Sequence, residues 1–132
     1  MSLLVVSARD VANITSTLSH YELMALMASV FIALSSAQDV CSPNRTSIQT
    51  SHHNVLFMPS RMDAIGTSIK VVSVPTSISA ASTGLPASTL VMDEVTGAVR
   101  AIVNARGLTA IRTAAGEVDK THILRLLNSV GF

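Results

Sequence analysis

The sequence predicts an α+β fold in which an N-terminal helix packs on a mostly antiparallel sheet, and three observations predict it. Apolar residues near the N-terminus recur at steps of three and four, five short β-branched segments follow, and helical spacing returns after Asn104. The order reads β-α-β-β-β-β-β-α-α, a sheet with its helices set against it. The 132 residues are enough for one small domain with a core of its own.

Residues 3–6 read as a short strand, after which Ser7-Ala8-Arg9-Asp10 offers an N-cap. Val11, Ile14, Leu18, Tyr21, Met24, Met27, Phe31 and Leu34 then share one helical face, which predicts a single helix over 11–36. Leu23, Leu26 and Val30 make its second half apolar on more than one side, as expected deep in a core or against a second chain. The strand segments are 45–50, 54–58, 67–74, 89–93 and 98–104. Between the last two, Asp93-Glu94-Val95-Thr96-Gly97 starts with a turn former and places glycine where a hairpin needs a left-handed residue. Residues 76–88 are nearly all small and lack any period, which predicts a loop. Leu108, Ile111 and Ala115 share a face of a helix opening near Arg106 and breaking at Gly116. Asp119 can cap a last helix with Ile123, Leu124, Leu127 and Val130 as its stripe and Gly131 at its end.

Composition removes several classes of function. Hydrophobic residues make up 48% and charged residues 13%, too apolar for a disordered polyelectrolyte and low enough in charge for a sticky surface. The net charge is +1 and aromatics are 3%, so neither a basic patch nor a stacking platform exists for nucleic acid. The single cysteine, Cys41, excludes an internal disulfide, reads as a small buried hydrophobe, and suits a reducing compartment, the cytoplasm. The longest apolar run, 23–34, is shorter than the roughly 20 residues that span a bilayer. Ser35 and Ala37 follow it in the spacing of a signal cleavage site, but Arg9, Asp10 and Glu22 precede it without a basic leader, so a secreted protein is the lesser reading. The sequons at Asn13 and Asn44 would matter only in that case. His52 and His53 are adjacent, point to opposite faces of a strand and cannot chelate one metal, so no metal site is expected.

Two cations stand out. Strand alternation sets Lys70 on the face of Val72 and Val74, either as an edge lysine snorkelling to water or as a desolvated lysine awaiting a carboxylate or carbonyl. Arg112 falls in the first turns of a helix, where the dipole disfavours a cation unless an anion is near. Thr113, Ala114 and Ala115 beside it are small enough for a ligand to approach. An exposed helical arginine is the plain alternative. Arg45, two residues after Pro43, reads from spacing alone as solvated.

Four blocks within about 3–115 resemble the ornithine cyclodeaminase and mu-crystallin family, particularly its fungal members. They are Pro43-Asn44-Arg45-Thr46; Leu56-Phe57-Met58-Pro59 with Ile65-Gly66-Thr67-Ser68-Ile69-Lys70-Val71-Val72; Gly84-Leu85-Pro86; and Val91-Met92-Asp93-x-x-Thr96-Gly97 leading to Leu108-Thr109-Ala110-Ile111-Arg112-Thr113-Ala114-Ala115. The last is the most specific, and the order and spacing of all four add to it. The resemblance implies that 1–115 is part of a substrate-binding and dimerisation domain, with 116–132 a divergent helical tail. It implies that Arg45, Lys70 and Arg112 hold the α-carboxylate of an amino acid or imine, and that Arg112 also lies beside the nicotinamide of NAD(P). Family members often have threonine after Gly-Leu-Pro, touching the cofactor; here Ala87 and then Ser88 stand there, which leaves Ser88 as the candidate cofactor contact.

The family's Rossmann domain should follow Ala115, yet no Gly-x-Gly-x-x-Gly occurs, and Gly116-Glu117-Val118-Asp119-Lys120 departs from the family helix. The resemblance therefore implies a truncated member of an NAD(P)-linked family of cyclodeaminases and ketimine reductases. Such a chain holds the carboxylate clamp but no catalytic residue, is inactive alone, and forms a homodimer or pairs with a full-length relative. The alternative is a non-catalytic dimerisation or small-molecule-binding module.

Overall fold

The computed structural model of the chain describes residues 2–36, 39–77 and 84–114. Its elements are β1 (Leu4–Val6), α1 (Ala8–Ser16), α2 (His20–Ser36), β2 (Val40–Cys41), β3 (Thr46–Gln49), β4 (His53–Met62), β5 (Gly66–Pro75), β6 (Ala87–Met92) and β7 (Val99–Asn104), with a further helix, α3, over 106–114. The strands form one seven-stranded sheet in the order β1-β7-β6-β5-β4-β2, with β3 also on β4. Every pairing is antiparallel except that of β1 with β7, so the sheet is open and mostly antiparallel with helices against it, as the sequence predicts.

The expected single helix over 11–36 is two helices, α1 and α2, bent by 105°. The apolar period runs through the corner unbroken, but hydrogen bonding ends α1 there. The hydroxyls of Ser16 and Thr17 donate to the carbonyls of Asn13 and Ile14, each at 2.7 Å, closing groups that the next turn would have used. Two residues on, Ser19 starts α2 with a reciprocal box: its N–H and hydroxyl each donate to the Glu22 carboxylate at 2.8 Å, and Glu22 N–H donates to Ser19 Oγ at 3.2 Å. Ser7 and Asp10 cap α1 in the same way. No residue of α2 is buried, so the deep-core alternative for it does not hold.

β4, β5 and β6 run longer than the pattern suggested, whereas β1, β3 and β7 are each shorter by one or two residues. β4 extends through Pro59 to Met62, and Pro59 falls between the stretch paired with β3 (Asn54 to Phe57) and that paired with β2 (Arg61 and Met62). A proline is tolerated there because one flank of the strand carries no ladder at that point. The two-residue β2, unforeseen in the sequence, carries Cys41, which is exposed and not a buried hydrophobe. β6 opens at Ala87, inside the stretch expected to be loop. The turn after β6 is as expected: Gly97 has φ 71°, its N–H donates to Asp93 O at 2.9 Å, and Asp93 Oδ1 accepts from Thr96 N at 2.8 Å. Residues 78–83 of the loop, Ala115, the break at Gly116, the helix expected after Asp119 and the tail domain 116–132 lie outside the described residues.

The core is small and lies on one face of the sheet. Val72, Ala87 and Ala105 form its buried cluster, packed by Leu56, Met58, Val74, Leu85 and, from α3, Leu108. The pairings Val72 with Leu56 and with Ala87 put these side chains in one cross-strand row, and Ala105 N–H donates to Ala87 O at 2.9 Å. The other face carries Val55, Phe57, Ile69, Val71, Leu90 and Ile102 and takes no part in that cluster.

Candidate functional site

Adjacent to this core row runs a second row that joins Val103, Thr89, Lys70 and Met58 across four strands. Lys70 therefore shares the face of Val72, as alternation requires, but not as an edge residue, because β5 is paired on both flanks. An edge-strand lysine guarding against aggregation is thereby set aside. The Lys70 side chain is half-buried and its Nζ donates to Thr109 Oγ1 of α3 at 2.6 Å. Thr109 carries no signal of its own in the sequence beyond its place in the motif Leu108 to Ala115. Its place over Lys70 needed the sheet order, since the two are far apart in the chain.

Arg112, one turn beyond Thr109, is exposed and lines the same clefts as Lys70. It lies past the first turn of α3, so the helix-dipole penalty invoked for it is slight there. Its tension is with Lys70. Burial, and after it the charge of Arg112, push the lysine below its ordinary pKa. Neither cation has an acidic partner in the ion pairs of the described residues, which join Arg61 to Asp63 and, at 3.0 Å, to Glu94 at the end of the sheet.

Two clefts of about 370 Å³ each meet at Lys70, Thr89 and Arg112. The first is apolar, walled by Leu18 at the helix corner, Leu23, Leu26 and Met27 of α2, and Leu108 and Ile111 of α3. The second is lined with hydroxyls from Ser42, Ser60 and Ser68, with Met58 and Pro59 beside them. A cationic pair between an apolar slot and one of mixed, hydroxyl-bearing lining can grip an anion and sort what is attached to it.

The other two candidates are not drawn into this pair. Arg45 is exposed, lies one residue before β3 and lines neither cleft. Continuing the β3 register by one residue sets it opposite Met58, on the Lys70 face and about 10 Å from Lys70 at two strand spacings. Ser88 is exposed and pairs with Val71 and Asn104, so it belongs to the opposite face from Thr89 and Lys70. Among the described residues no group of three or more His, Cys, Asp or Glu side chains could hold a metal, and no single helix is long and apolar enough to cross a membrane.

No protein-family model matches the chain, and no curated protein does. Its fold matches that of solved enzymes of the ornithine cyclodeaminase, alanine dehydrogenase and pyrroline-carboxylate reductase kind. An archaeal alanine dehydrogenase dimer with bound NAD superposes with TM-score 0.72 at 18% identity, over 87% of this chain and 35% of that one. The Thermococcus litoralis Δ1-pyrroline-2-carboxylate reductase, in complex with NADH and L-proline, gives 0.70 at 27% identity over 89% and 36%. A lysine cyclodeaminase whose structure explains recognition of L-lysine, L-ornithine and L-2,4-diaminobutyric acid gives 0.66 at 25% identity over 87% and 36%. The chain thus spans about a third of the length of these enzymes.

Proposed function

We propose that this chain belongs to the ornithine cyclodeaminase and mu-crystallin family and that its described part is the substrate platform of that family, binding the α-carboxylate of an amino or imino acid. One observation carries the reading. Lys70, on a central strand, and Arg112, on the helix beyond it, converge on two clefts with no carboxylate among the described residues that line them. Two like charges held together cost stability unless an anion is bound between them, and a carboxylate suits both, bidentate on the guanidinium and as a point charge on the ammonium. Arg45 is the third member of the clamp, by its register place beyond Met58 on the Lys70 face. The platform comprises residues 1–115, sits in the cytoplasm and works as a dimer. The reaction it serves is NAD(P)-linked cyclodeamination or imine reduction.

The described residues do not themselves fit NAD(P). They contain no run of parallel strands feeding helices and no glycine-rich turn at a helix start, and Ser88 faces away from the cationic pair. No hydride step is derived from them. Their part is to hold and orient the carboxylate.

Isothermal titration with L-proline and with L-ornithine tests this reading. Heat of binding is expected for the intact chain, with affinity at least tenfold weaker in Lys70→Met and in Arg112→Gln. Affinity unchanged in both variants removes the clamp.

A further inference from the structure

We propose that the apolar slot between α2 and α3 receives the side chain of the carboxylate held by Lys70 and Arg112, so that the preferred ligand carries an uncharged, aliphatic tail and not an ω-amine. This rests on the carboxylate clamp proposed above and, of the two reactions given there, favours imine reduction, because cyclodeamination needs an ω-amine on the substrate.

The slot starts at the cations. Lys70, Thr89 and Arg112 form its floor and mouth, and its walls are Leu18, Leu23, Leu26, Met27, Leu108 and Ile111. A carboxylate on the two cations therefore directs whatever is attached to it either among the hydroxyls of Ser42, Ser60 and Ser68 or among these hydrocarbon side chains. Leu18 and Leu26 remain 43% and 50% exposed, so apolar surface at the slot is left for a ligand to cover. A terminal ammonium there would lose water, meet no carboxylate on the described walls, and lie near two cations already in tension. A methyl group in its place meets mainly hydrocarbon, Thr15 being the one further polar residue of the lining beside Lys70, Thr89 and Arg112. Each methylene buried adds about fourfold to affinity.

Acetate, hexanoate and 5-aminopentanoate, titrated calorimetrically into the full chain, separate the possibilities. Hexanoate and 5-aminopentanoate differ only in ending on CH₃ or NH₃⁺, and acetate probes the clamp without a tail. Hexanoate is expected to bind at least tenfold tighter than either of the others, and Leu26→Glu, a change on an exposed position of a helix with no buried residue, is expected to abolish that preference. Equal binding of acetate and hexanoate, or 5-aminopentanoate matching hexanoate, overturns the tail assignment while leaving the clamp intact. Retention of the full preference by Leu26→Glu overturns its placement in this slot. Binding of none of the three overturns the clamp and the tail with it.

Discussion

At the scale of the residue, Lys70 is where stability and binding oppose one another. Its folded pKa is lowered, by burial first and by Arg112 second, so between that value and the ordinary lysine value the unfolded chain binds more protons than the folded one. Stability from this group therefore rises with pH across that interval and is flat below it. Replacing Arg112 by glutamine removes the second cause, and an NMR titration of the Lys70 side chain should show its pKa move back up towards the ordinary value, with the pH-dependent interval narrowed. A bound carboxylate should move it the same way, so affinity falls as pH rises through the lysine's titration. Lys70→Met, which exchanges an unpaired cation for a flexible apolar side chain, is expected to leave the melting temperature unchanged or raise it by a few degrees while carboxylate binding is lost. A fall of ten degrees or more would show the lysine to be structural. The lysine's anomaly was legible because alternation along 69–74 fixes its face. That Thr109 holds it was not, because no local rule connects β5 to α3.

At the scale of the element, the corner between α1 and α2 matters most. Ser19→Ala removes the capping hydroxyl from α2 and is expected to cost about 1 kcal/mol of local helix stability, seen as faster amide exchange over His20–Ser36 with the strand amides unchanged. The carboxyls of Asp10 and Glu22 are held below their ordinary values by hydrogen bonds from Ser7 and Ser19. The caps are accordingly complete above the ordinary carboxylate range and are lost as pH falls through the lowered values, so both helices fray at their N-terminal turns in acid. The Ser-His-Tyr-Glu signature of that cap stood in the sequence, but the apolar period crossed it without a break and masked it. β4 was half legible for a comparable reason: Pro59 reads as a stop until the partner strands are known to leave its flank unpaired. β2, at two residues, is too short for any periodicity to reveal.

At the scale of the whole molecule, the chain shows water two apolar surfaces of different origin. One is α2, with Tyr21, Leu26, Ile32 and Leu34 exposed; the other is the sheet face opposite the core, where Val5 and Ile48 are 65% and 56% exposed. Surfaces of this kind mark association or aggregation. Light scattering at micromolar concentration is expected to give a mass above 13.8 kDa, and a monodisperse species at that mass would show both surfaces to be tolerated by one chain. The purified chain with NAD and L-ornithine is expected to form no proline and release no ammonia, since the described residues supply a carboxylate clamp and no site for the cofactor that takes the hydride. The fold class was legible because helical and strand periods occupy separate stretches of the chain. The sheet order was not, because pairing between distant segments leaves no mark on either one alone.

The parallel pairing of β1 with β7 sets the order in which this molecule can be made. Leu4, Val5 and Val6 find their partners only when Ala101, Ile102 and Val103 have been synthesised, after every other described strand is already available to pair with its neighbour. Closing so long a loop makes this contact the slowest of the sheet to form. During synthesis, β1 and the helix corner behind it must wait on the ribosome with their apolar side chains unpaired, and nascent-chain aggregation should be worst in that interval.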